Sequence, residues 1–251
     1  MLTPILTNTP EVARKQRNRI KAVLSWCQAH GFIEHNVAGE MIDGALPAMP
    51  AVKEHYRALP YQEVPAALET IDASNASLTA KLCFRFLVLT ATRSGEARGA
   101  RWSEVDLDAK EWRIPASRMK AKVEHSIPLP VAAVTLLEQA HTLRDGSDLI
   151  FPSSVRQGTP MSDMTLTKVL RTTGLAAQTT VHGFRSSFRD WAAECTNAAH
   201  AVMELSLARK VGSAVEQAYA RSDLLAKRRL LMEQWAAYIT GADAEVLHLH
   251  G

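Results

Sequence analysis

The sequence predicts a mainly α protein with a small antiparallel β-sheet, an α+β fold. Three observations predict it. Apolar residues recur at helical spacing over most of the chain after Pro60. One stretch, Glu111 to Leu129, alternates apolar and polar residues instead. The composition, 47% hydrophobic and 22% charged over 251 residues, is that of a globular protein with length for one large domain or two small ones. It excludes a disordered tail, a collagen-like repeat and a disulfide-stapled miniprotein.

The first helix begins at Thr9-Pro10-Glu11. Thr9 can cap free N–H groups, Pro10 suits the first turn, and Glu11 favours the positive end of the helix dipole. Val12, Ile20, Val23, Leu24 and Cys27 keep helical spacing until Gly31 offers a stop. A short helical piece is expected around 37–42. Pro47, Pro50 and Pro60, with little periodicity, make 44–60 a linker. Roughly forty N-terminal residues are too few to bury a core alone, so 1–43 is read as the remnant of a helical domain. Further helices are expected over 61–71, 78–90, 94–101, 131–140, 164–172, 182–195, 198–206 and 223–240. Strands over 111–115 and 125–129, with Val105 and Leu107 before them, flank a polar hairpin tip that carries Lys120 and Lys122. The main domain is thus 61–240, followed by a tail, 241–251.

Net charge is +3 and the pI is near 8.8. The distribution says more than the sum. Arg14, Lys15, Arg17, Arg19 and Lys21 crowd the first helix, and Lys227, Arg228 and Arg229 cluster near the end. Each cluster alone reads equally as a solvated face; together they keep nucleic acid among the candidate partners. Cys27, Cys83 and Cys195 are odd in number and far apart, the pattern of reduced thiols in a cytosolic protein. The start lacks a cationic n-region, and no segment reaches the ~18 apolar residues of a membrane span, so no membrane association is expected.

Among residues able to do chemistry, His182 and Arg185 stand i, i+3 at a helix beginning, where an anion is favoured. The same pattern also occurs on ordinary polar helix faces. Arg93 follows an apolar run and precedes Ser94-Gly95-Glu96. A partly buried guanidinium there must pair, with Glu96 or with a ligand. Lys120 alone reads as a solubilising turn lysine, and Tyr219 alone as a packing residue. No P-loop, G-x-S-x-G, H-E-x-x-H or carboxylate cluster is present, so no metal or cofactor is expected. His248 and His250 read as a tail.

Four blocks in order are far more specific than any one: TATRSGEARGARWSEVDL around Arg93, MKAKVEHSIPLP around Lys120, VHGFRSSFRDWAAE around His182 and Arg185, and KVGSAVEQAYARSDLLAKRR around Tyr219. With them the sequence resembles the tyrosine recombinase (phage integrase) family, most closely the integrases of prophages and genomic islands, from about Leu59 to Tyr238. VARKQRNRIKAVLSWCQAHG resembles the last long helix of the family's core-binding domain.

The resemblance implies the family's catalytic-domain fold and a DNA recombinase of the bacterial cytoplasm. Tyr219 would attack a phosphodiester to give a 3′-phosphotyrosyl link. Arg93 and Arg185 would hold the non-bridging oxygens, with Glu96 supporting Arg93. Lys120 would protonate the leaving 5′-oxygen and His182 would assist the tyrosine's proton transfer, with no metal or ATP required. Arg14, Arg17, Lys21 and Lys122 would meet the backbone of double-stranded DNA at attachment sites, with a tetramer on DNA and possible monomers off it.

Two departures qualify this. Arg209 stands where the family has His or Trp, and it cannot exchange a proton near neutral pH, so slower cleavage is expected. Little of the family's N-terminal region is present, so weak, salt-steep DNA affinity is expected. The alternatives are a degenerate integrase that binds without cutting and an activity like that of a type IB topoisomerase.

Overall fold

A computed structural model of the chain describes residues 9–40, 57–209, 211 and 223–242. The chain divides into two compact units, Met1–His55 and Tyr56–Gly251.

In the first unit, α1 (Pro10–Ala29) has Pro10 in its first turn and Glu11 beside it. The Thr9 carbonyl accepts from Ala13 N–H at 3.1 Å, and the cap is made without the Thr9 side chain. Gly31 stops the helix in the left-handed region at φ 76°. Beyond it Asn36 turns back and donates to Lys21 O at 3.0 Å and Ser25 Oγ at 2.8 Å. Of the helical piece expected around 37–42, residues 37–38 form a turn, Glu40 is in 3-10 helical conformation, and 41–42 lie outside the described residues. Arg14, Arg17 and Lys21 lie at i, i+3 and i+7, one face of α1, and Arg14 pairs with Glu11.

The second unit is built round α3 (Leu78–Thr90), capped by Ser77, whose hydroxyl accepts from Ala80 N–H at 3.3 Å. Apolar on nearly every side, it buries Leu82, Phe84, Phe86, Leu87 and Val88, so it must be covered all round. Around it stand α2 (Val64–Asp72), α4 (Ser94–Arg98), α5 (Val131–His141), α6 (Thr165–Thr172), α7 (Gly183–Cys195), α8 (His200–Ser206) and α9 (Leu225–Thr240). Helix α9 packs on its own unit: Leu231, Met232 and Trp235 are buried, and the Trp235 indole donates to Val88 O at 2.8 Å.

The sheet is three antiparallel strands in the order β1 (Val105–Asp106), β2 (Glu111–Ile114) and β3 (His125–Pro128). Its register pairs Trp112 with Ile127 and Ile114 with His125. Trp112 and Ile114 face the core, where Trp112 meets Phe86 at 5.0 Å between ring centroids, while Arg113 points to solvent. Helix ends fall within a few residues of those expected. The largest difference is α4, which stops at Arg98 before Gly99 instead of running to Arg101. The expected polar hairpin tip also starts later, because Met119 is buried and Arg118 is held against α4.

Candidate active site

The site forms where α3 ends, α4 and α7 begin, and α8 ends. Arg93 is the residue before α4. Glu96, almost fully buried, accepts from the Arg93 backbone N–H at 2.8 Å and from its guanidinium at 2.7 Å. Pairing and orientation thus coincide, and part of the Arg93 side chain stays exposed.

Arg185 is only 2% exposed. Its Nη1 donates to Ala91 O and its Nη2 to Leu207 O at 2.5 Å. Ala91 and Leu207 are the residues that close α3 and α8. A helix C-terminus presents orphan carbonyls and the negative end of its dipole, so Arg185 caps two helices at once. The buried Nε has no hydrogen-bond partner among the described residues. Burial, with Arg93 nearby, lowers the guanidinium's pKa to about 10, which leaves it charged at neutral pH. Its charge therefore rests on carbonyl dipoles and keeps attraction in reserve for an anion.

His182 immediately precedes α7 and is half-buried. Burial first, then the positive charges of Arg185, Arg93 and Arg209, push its pKa below the usual imidazole range, against a small opposing effect of Glu96. At neutral pH the ring is a proton acceptor. The chain beside it is packed backbone to backbone. A Cβ on Gly183 would stand 2.2 Å from Arg57 O and 2.6 Å from Thr179 Oγ1. Only glycine fits there.

Arg209 lies past the end of α8. Its Nη1 donates to Glu204 Oε2 at 3.2 Å, and Glu204 Oε1 accepts from Arg189 Nε at 2.7 Å. Arg93, Glu96, His182, Arg185 and Arg209 thus act on one another electrostatically in one place.

Lys120 is exposed on the connection between β2 and β3. Lys122 is exposed too, at φ 56°, with Nζ 3.5 Å from Ser117 O. Arg14, Arg17 and Lys21 belong to the first unit. Tyr219, His248 and His250 lie outside the described residues, as do 44–56 of the expected linker and most of the tail. Among the described residues no cluster of His, Cys, Asp or Glu could hold a metal, and no helix is long and apolar enough to cross a membrane.

His125 escaped the sequence reading. It opens β3, and burial, then Arg228, Arg185 and Arg93, push its pKa down to about 3. Arg228 on α9, itself buried, reaches across to Ser126 O. Only the position of His125 at a strand start beside a Lys-bearing connection could have hinted at this.

The chain matches the model of the Phage integrase family over residues 57–224. It is 32% identical over 238 residues to prophage integrase IntA of Escherichia coli K12, covering 93% of this chain and 56% of that protein. To the integrase of enterobacteria phage P4 it is 33% identical over 244 residues, covering 91% and 55%. The chain thus spans a little over half the length of these curated relatives. Its fold matches a lambda integrase dimer bound to a COC′ core site (TM-score 0.61, 18% identity, 84% of this chain and 78% of that one). It also matches a lambda integrase tetramer bound to a Holliday junction (TM-score 0.62, 19% identity, 85% and 63%).

Proposed function

Because the chain belongs to the phage integrase family and has the fold of its catalytic domain, we propose that it cuts and rejoins double-stranded DNA at attachment sites, through a covalent bond to Tyr219. The observation that carries this reading is Arg185: buried, charged, with no carboxylate among the described residues hydrogen-bonded to it, and placed with Arg93 and Arg209 around a neutral His182. A phosphodiester is the anion that three converging guanidinium groups suit.

In this reading Arg93 and Arg185 bind the two non-bridging oxygens and stabilise the charge that builds on them. Tyr219 Oη forms a bond to phosphorus as the bond to the 5′-oxygen breaks. The tyrosine's proton passes towards His182, and Lys120 gives one to the 5′-oxygen. The phosphotyrosyl bond retains the energy of the broken linkage, so rejoining needs no ATP. Fixed guanidinium charges act as the electrostatic clamp. Arg14, Arg17, Lys21 and Lys122 contact DNA phosphates, and the working form is a tetramer on DNA in the bacterial cytoplasm. Arg209 donates to a phosphate oxygen but relays no proton, so cleavage is slower than with histidine there.

Covalent trapping tests the proposal. Supercoiled plasmid DNA is incubated with the protein at low salt in EDTA, quenched in detergent and run on a denaturing gel. The expected result is a protein–DNA adduct that disappears in Tyr219→Phe while DNA binding persists. An equal adduct from Tyr219→Phe refutes the assignment of Tyr219, and DNA bound without any adduct favours a chain that binds without cutting.

A further inference from the structure

Arg118 joins two parts of the site that lie far apart in sequence. Its Nη2 donates to the main-chain carbonyl of Glu96 at 2.7 Å, and its Nη1 pairs with the Glu104 carboxylate. Glu96 is the residue whose carboxylate orients Arg93. Glu104 in turn accepts from the Trp112 indole on β2 at 3.0 Å. Gly99 makes room for this arrangement: a Cβ there would stand 3.0 Å from Arg118 Nη2. Arg118 is also two residues before Lys120, a backbone reach of at most ~7 Å. Turns hold the segment on both sides of Arg118 and Lys120, Met119 N–H to Ala116 O at 3.2 Å and Lys122 N–H to Met119 O at 3.1 Å, and Met119 between them is buried.

We infer that Arg118 is a positioning residue for Lys120, the guanidinium fork holding the base of the lysine's connection against the Arg93–Glu96 element. The inference rests on the recombinase reading above and deepens it. The β2–β3 connection leaves Lys120 exposed, and an exposed lysine on a free loop would sample many positions. Arg118 fixes the backbone at its foot to the element that holds the phosphate, so the ammonium is delivered to the 5′-oxygen of a phosphate gripped by Arg93. A lysine at 118 keeps a charge beside Glu104 but lacks the planar fork that serves two acceptors in fixed directions.

The test separates loss of the proton donor from general damage. Nicked duplexes are made across the strongest cleavage position mapped on the supercoiled plasmid, with either oxygen or sulfur at the bridging 5′-position. A thiolate leaves without being protonated, so the sulfur substrate bypasses Lys120. Lys120→Ala is expected to slow the oxygen substrate by about 10²–10⁴-fold, the range of a general acid, and to recover on sulfur. Arg118→Lys and Arg118→Ala should slow the oxygen substrate by at least about tenfold and likewise recover on sulfur, whereas Arg93→Ala stays slow on both.

Arg118 variants equally slow on both substrates, or at wild-type rate on oxygen, overturn the inference while leaving the recombinase reading intact. Since Arg118→Ala strips a buried carboxylate of its partner, Arg118→Lys and the double variant Arg118→Ala/Glu104→Gln carry the conclusion if the single alanine variant does not fold. A wild-type chain that forms no adduct on either duplex overturns the reading of the site, and this inference with it.

Discussion

Gly183→Ala sets two physical effects against each other with opposite signs. Gly183 is the first residue of α7, and alanine has the higher helix propensity, worth about 1 kcal/mol in favour of the variant. Against this, the new Cβ would stand 2.2 Å from Arg57 O, about 0.8 Å inside the 3.0 Å that Cβ atoms respect, with Ala58 Cα at 3.0 Å as well. Both obstacles are main chain, so no rotamer change relieves them. Moving the 57–59 segment strains the Thr180 N–H to Arg57 O bond at 3.1 Å and the Ser187 Oγ to Leu59 O bond at 2.6 Å. Overpacking costs about 1–3 kcal/mol and each impaired hydrogen bond about 0.5–1.5 kcal/mol. After subtracting the propensity gain, the variant should be about 1–5 kcal/mol less stable. For a unit of this size that is roughly 2–20 °C in melting temperature.

Thermal unfolding followed by circular dichroism measures it. Gly95→Ala is the control, since it lies inside α4 with nothing within 4 Å of the added Cβ and should melt at or slightly above the wild-type temperature. A Gly183→Ala protein that melts at or above the wild type would show that helix propensity outweighs the clash and refute the reasoning. Because His182 directly precedes Gly183, the adduct yield of Gly183→Ala should fall even at temperatures where it is fully folded.

The remaining predictions concern charge. His125 is neutral when folded, its pKa pushed down to about 3 by burial and by Arg228, Arg185 and Arg93, whereas in the unfolded chain it titrates near 6.5. The unfolded state therefore binds the extra proton, so the stabilisation is whole above pH 6.5 and is lost as pH falls from 6.5 towards 3, at up to about 1.4 kcal/mol per pH unit. His125→Gln should flatten the decline in denaturation midpoint between pH 6.5 and 5; an unchanged slope refutes this. Arg209→His restores a proton-exchanging group and should raise the adduct yield several-fold, with Glu204 still paired to Arg189. An unchanged or lower yield counts against the reading of Arg209.

Much of the fold was legible because its signals are local. The Pro10-Glu11 start of α1, the alternation around Trp112 and the stop at Gly31 each lie within a few residues of their effect. Of the candidate site, Arg93, Glu96, His182, Arg185 and Arg209 were legible as residue types in order, and these five the structure brings together. What was not legible depends on contacts between distant segments. Gly183 is constrained by Arg57, and Arg118 looks like one more polar residue of a hairpin until its fork is seen on Glu96 O. The α9 arginines show the same limit: Arg228 and Arg229 read as a basic surface cluster, yet Arg228 is buried on Ser126 O and Arg229 donates to Lys110 O at 3.0 Å.

Arg185 shows why such a site favours main-chain partners. A buried guanidinium cannot lose its proton, so something must offset its charge. A carboxylate would do so fully and would then compete with a phosphate for the same donors. The ends of α3 and α8 offer only partial negative charge, through Ala91 O and Leu207 O, and these carbonyls need partners in any case. The backbone there is strained to suit, with Ala91 and Ala208 both at φ 49°, a region that costs a non-glycine residue about 1–2 kcal/mol. Arg93 shows the contrasting case, since its carboxylate partner Glu96 takes one edge of a guanidinium that remains partly exposed. One arginine is thus aimed by a carboxylate, with part of its guanidinium left exposed, and the other is locked by two helix ends and keeps its positive charge beside a neutral His182. That division leaves the attraction for an anion in place before one arrives, so binding an anion needs little rearrangement of these groups.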